Sequence, residues 1–121
     1  MTRSYDDMID GVIDVEQLLA RCLGNVEIAE RVLTKFQDRF RVDLTELEQG
    51  LQQQDAAAVA QAAHRIKGAS ANVSAPALYA LASDIEQAAR TERLADVPED
   101  AQQLRTEWTR FVDNVADLQL S

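Results

Sequence analysis

From Ala29 to Leu51 the apolar residues fall at steps of three and four: Ala29, Leu33, Phe36, Phe40, Leu44, Leu47 and Leu51. A strand shows the same face every second residue. A helix, at about 3.6 residues per turn, returns to one face at i+3, i+4 and i+7. A run this long commits the segment to an amphipathic helix that must bury one stripe against other helices. The same spacing recurs on either side of it. Val15, Leu18, Leu19 and Cys22 share a face in a short segment from about Asp14 to Leu23, which Gly24 is placed to end. Asn25 is the candidate N-cap of the long helix, which should stop between Gly50 and Gln54. Asp55 then opens a third helix reaching about Val73, with a narrow seam of Val59, Ala62, Ile66, Ala69 and Val73. Small seam residues permit close helix approach. A fourth helix is predicted from Ser74, read as its N-cap, with Pro76 in the first turn, where a missing N–H costs nothing. Its stripe is Leu78, Leu81, Ala82, Ile85 and Ala89, and it fades near Arg93. The fifth begins around Pro98 and carries Leu104, Trp108, Phe111, Val115 and Leu118.

No strand-like alternation, internal repeat, linker or low-complexity tract competes with these readings. The expected fold is all-α: an antiparallel four-helix bundle with a short additional N-terminal helix, in one domain spanning residues 1–121.

Charge and cysteine usage exclude several function classes. The chain has 12 basic and 21 acidic residues, a net charge of −9, which disfavours a nucleic-acid backbone binder. One cysteine cannot close an intrachain disulfide, and one histidine with one cysteine cannot build a Cys/His zinc site. No run of about 18 apolar residues exists, so no membrane insertion is expected. The segment Met1–Asp7 lacks the basic start and apolar run of a secretory signal, which makes the cytoplasm the expected compartment. Any chemistry that needs an imidazole must use His64.

One position breaks the local rules. A glycine inside a helix costs roughly 1 kcal/mol relative to alanine. Gly11, Gly24 and Gly50 fall at predicted ends or in the N-terminal segment, but Gly68 lies in the middle of the third helix. His64 precedes Ile66 by two residues, which turns it about 160° from the core seam. It should face solvent, with Lys67 and Gly68 at i+3 and i+4 beside it. Ala60 and Ala71 extend this patch of small residues by a turn each way. An exposed imidazole next to a cation is open to a bulky partner. It can act as a nucleophile near neutral pH and carry an anionic group such as phosphoryl, with Lys67 as a point charge. Charge partition fits this reading. Between residues 56 and 90, Arg65, Lys67 and Arg90 stand against Asp84 and Glu86, a net of +1, while the remainder carries −10.

These residues resemble a known signature. The run Ala63-His-Arg-Ile-Lys-Gly-Ala-Ser-Ala-Asn-Val73 is similar to the His-x-x-Lys-Gly motif of histidine-containing phosphotransfer (HPt) domains. The likeness extends to Leu23-Gly24-Asn25 before a long helix, Asp55 ahead of the histidine helix, and the pair Ile85-Glu86. It implies a four-helix bundle that relays phosphoryl groups in multistep phosphorelays. The motif histidine, here His64, would take the group from an aspartyl phosphate on a receiver domain and pass it to another receiver. Lys67 would lie near the phosphoryl oxygens, and Gly68 would leave room for the receiver's loops. The exposed Ala60, Gln61, Arg65 and Ala71 would help choose the partner. The resemblance implies a carrier rather than an enzyme, with no cofactor or metal of its own. The Mg²⁺ and the acidic pocket would belong to the receiver. The implied partners are response-regulator receiver domains or a hybrid histidine kinase, met by a monomer. One departure stands out: family members often have a glycine at the turn after this helix, where this chain has Ser74. Two other readings remain open at this level. One is a phosphoacceptor domain of a chemotaxis-type or hybrid kinase. The other is a non-catalytic helical adaptor in which His64 is incidental.

Overall fold

The computed structural model describes residues 12–118. Its helices are α1 (Val15–Arg21), α2 (Val26–Gln52), α3 (Ala56–Asn72), α4 (Pro76–Arg90) and α5 (Val97–Asp117), with a 3₁₀ turn at Leu94–Asp96 before α5. No strand occurs among the described residues. The fold is the expected one: α2–α5 form an antiparallel bundle and α1 is the short extra helix. Three-residue connections join α2 to α3 and α3 to α4, which forces consecutive helices to run antiparallel side by side. Gly11 and the segment Met1–Asp7 lie outside the described residues.

The helix starts follow from side-chain capping. Asp14, Asn25 and Asp55 each accept a hydrogen bond, at 3.0 Å, from the backbone N–H of Gln17, Ile28 and Ala58. These bonds satisfy N–H groups that the helix itself leaves unpaired. The fourth start is different. Ser74 is not its cap: Ala75 holds that position without a side-chain bond, and Pro76 is the first helical residue. Ser74 instead takes φ +58°, the left-handed region, and its carbonyl accepts a 2.7 Å hydrogen bond from the Asp14 N–H. That is why a glycine suits this turn. The Ser74 hydroxyl is buried and has no hydrogen-bond partner among the described residues. Leu23, Gln54 and Glu92, in the other turns, are also left-handed, with φ between 55° and 58°.

The predicted stripes make the core. Leu18 and Cys22 of the first segment, the α2 series from Ala29 to Leu47, and Val59, Ala62 and Ile66 of α3 are buried. So are Leu78, Ala82, Ile85 and Ala89 of α4, and Leu104 and Phe111 of α5. Leu51, Ala69, Leu81, Trp108, Val115 and Leu118 are half-buried at its edge. An aromatic cluster closes α5 onto α2: Trp108 stacks on Phe40 at 4.0 Å between centroids, and Phe111 meets Phe36 edge to face at 5.1 Å.

Helix ends shift by a few residues from the sequence reading. The fourth helix stops at Arg90 rather than near Arg93, and Gly50 lies inside the last turn of α2. Gly50 has its own reason. A Cβ there would stand 3.0 Å from Val59 Cγ2 and 3.2 Å from the Val59 nitrogen, so the glycine permits close contact between α2 and α3.

Candidate functional site

His64 lies on the outer face of α3, as the wheel requires, with 62% of its side chain exposed. Lys67 and Gly68 follow one turn on. Among the described residues, a Cβ built on Gly68 meets no atom of another element or side chain within 4 Å, so no packing contact there calls for a glycine.

The antiparallel register of α3 and α4 sets Glu86 opposite His64. Glu86 is nine-tenths buried, and both of its oxygens are engaged. Oε1 lies 2.8 Å from Lys67 Nζ. Oε2 is 3.1 Å from His64 Nδ1 and 2.9 Å from Arg90 Nε. One carboxylate thus gathers the imidazole and two cations. Burial alone would push the Glu86 carboxyl up. Hydrogen bonds from Lys67 and Arg90, with the Lys67 and His64 charges, outweigh that and hold it below its ordinary value. Lys67 is raised above its ordinary value, first by the hydrogen bond to Glu86, against the opposing effect of desolvation. An ionised carboxylate can only accept, so in its neutral form the imidazole carries its hydrogen on Nδ1 and donates it to Glu86. Nε2 then keeps its lone pair.

The remaining predicted residues divide. Gln61 is exposed and Ala71 half-exposed. Arg65 is half-exposed, but its guanidinium turns toward α2. Its Nε donates to Asp43 Oδ1 at 3.0 Å, and Nη2 pairs with Glu46. Ala60 is not on the surface; only 3% of it is exposed.

Two functional-looking carboxylates carried no assigned role in the sequence reading. Glu86 lies four residues after Ala82 and three before Ala89, inside the buried stripe of α4. Asp43, only 1% exposed, holds the same kind of position between Phe40 and Leu47 of α2, and Arg39 pairs with it as well as Arg65. A charge on a seam position implies a buried partner, and that was the available signal. Among the described residues, no group of three or more His, Cys, Asp or Glu side chains is placed to hold a metal ion. No helix among them is long and apolar enough to cross a membrane.

The molecule is an up-and-down helical bundle that presents its sole imidazole on an outer helix face. The family model for the Hpt domain matches residues 31–114, more than half of the chain, and the chain belongs to this family of phosphotransfer domains. The crystal structure of the HPT domain from a Hpt sensor hybrid histidine kinase from Shewanella superposes with a TM-score of 0.77. The superposition covers 88% of this chain and 92% of that one at 20% identity, a likeness of fold. Among curated proteins none matches the chain.

Proposed function

We propose that residues 1–121 form one phosphoryl carrier of a multistep phosphorelay, with His64 as the residue that bears the group. The observation that carries this reading is the exposed imidazole whose Nδ1 is tied to buried Glu86, leaving Nε2 as the nucleophile. In the forward step the Nε2 lone pair attacks phosphorus of an aspartyl phosphate on a receiver domain. The P–N bond forms as the P–O bond breaks, and the aspartate leaves with the electron pair. The Nδ1 proton stays on the ring, so the ring becomes cationic, and Glu86 stabilises that charge more in the transition state than before it. Lys67, one turn away, supplies positive charge to the phosphoryl oxygens. Gly68 leaves the face open to the receiver's loops, and Gln61 and Ala71 lie on the contact surface.

Little else is required of this chain. The acidic pocket and the metal that activate the aspartyl phosphate belong to the receiver, so the domain acts as carrier and substrate rather than as a stand-alone catalyst. Receiver domains, free or within a hybrid histidine kinase, are the partners. The test is direct. A receiver domain charged with labelled acetyl phosphate is mixed with the full chain. Acid-labile, base-stable label is expected on the wild type and not on His64→Gln. Label that survives this substitution refutes the assignment.

A further inference from the structure

We infer that Arg90 is a positioning residue that lets Lys67 exchange Glu86 for the incoming phosphoryl group; this rests on the carrier role of His64. Lys67 is committed before the reaction, since its ammonium lies 2.8 Å from Glu86 Oε1. An ammonium has three N–H donors, and as it turns them to a phosphoryl group on Nε2 its hold on that oxygen weakens. A nine-tenths buried carboxylate that loses its cation is strongly disfavoured. Losing Lys67 without a substitute would pull Glu86 toward protonation before the imidazole has gained its charge, while the carboxylate must stay ionised to hold the Nδ1 hydrogen.

Arg90 removes this conflict. It bonds Oε2, the oxygen that also holds His64 Nδ1, and not the oxygen Lys67 vacates. It lies four residues after Glu86 on the same helix, so its contact is internal to α4. The Lys67 contact instead crosses from α3 to α4. One pair can therefore open while the other keeps the carboxylate charged and aimed at Nδ1. Arg90 touches neither the reacting nitrogen nor the phosphorus; it acts through Glu86.

Phosphoramidate tests this without a receiver. His64 Nε2 forms the P–N bond, the donor's own P–N bond breaks, and ammonia leaves with the electron pair. The full chain is compared with Arg90→Gln, Arg90→Lys, Glu86→Gln and the Glu86→Gln/Arg90→Gln double variant, each checked for helical circular dichroism. Arg90→Gln is expected to slow phosphohistidine formation roughly tenfold, the scale of one charge-assisted hydrogen bond. Arg90→Lys should recover most of the rate. In the Glu86→Gln background, where no carboxylate needs holding, the Arg90→Gln effect should nearly vanish. Because His64 is the only histidine, its ring nitrogens give an unambiguous ¹H–¹⁵N signal. That signal should show the Nδ1–H form in the wild type and a mixture in Arg90→Gln. A wild type that takes no phosphoryl group on His64 overturns both readings. A labelled wild type with an unchanged Arg90→Gln rate, or a slowdown that persists in the Glu86→Gln background, overturns the role of Arg90 alone.

Discussion

An alanine at position 68 adds one methyl group to the outer face of α3, and beyond the helix's own backbone nothing among the described residues stands within 4 Å of it. The steric cost inside the domain is therefore nil. The helix gains the difference in intrinsic propensity between alanine and glycine, about 0.8–1 kcal/mol. For a chain of this size that corresponds to a rise in Tm of roughly 4 °C. The rest of α3 already uses alanine freely, at residues 56–58, 60, 62, 63, 69 and 71. Folding thus gives no reason for glycine at this one place, whereas a partner whose loops must pass beside His64 does. Gly68→Ala should be more stable than the wild type in thermal and urea unfolding followed by circular dichroism. It should also accept phosphoryl from a charged receiver more slowly, and Gly68→Gln more slowly again. With phosphoramidate, which is small, both variants should react at close to the wild-type rate. A destabilised Gly68→Ala would refute the packing argument. Unimpaired transfer from the receiver to Gly68→Gln would refute the access argument.

The other helical glycine should behave in the opposite way. Gly50→Ala must push against Val59, and despite its better propensity it should lose about 1 kcal/mol in urea unfolding. Glu86 gives a pH signature. Its carboxyl is held below the ordinary 4.5, so the stability it contributes is fully present above that value and is lost as pH falls through the lower folded value. Glu86→Gln should accordingly cost about 1 kcal/mol at neutral pH, and the gap to the wild type should close in acid. Ser74→Gly relieves a left-handed residue and removes an unpaired buried hydroxyl while keeping the carbonyl that binds Asp14 N–H. It should raise stability by about 1–2 kcal/mol in the same assay.

The bundle was legible because its helices obey one period. Every stripe read from the three-and-four spacing is buried or lies at the core edge, and Asn25 and Asp55 cap where their side chains allow. Ser74 misled because serine is a good cap residue in general. What decides its conformation is the turn geometry, which a single residue type does not reveal. The outward placement of His64 follows from its angle to Ile66 and needs no tertiary information. Burial of Ala60 does need it, since a wheel knows where the seam is but not how far the neighbouring helices reach around it. Glu86 and Asp43 were visible as charges within apolar stripes. One cross-helix partner of each, His64 for Glu86 and Arg65 for Asp43, is 22 residues away, and that pairing depends on helix register.

Among the described residues, the four left-handed turn residues other than Gly24 have a further consequence. Leu23, Gln54, Ser74 and Glu92 each hold a conformation that costs an L residue with a Cβ about 1–2 kcal/mol. These connections keep the helices in register, yet none uses glycine at these points. The domain consequently runs below the thermal ceiling its own architecture allows. None of the four is His64, Lys67 or Gly68, so that headroom can be drawn on without changing those side chains. A lineage under heat stress, or an engineer, has four separate places to recover it.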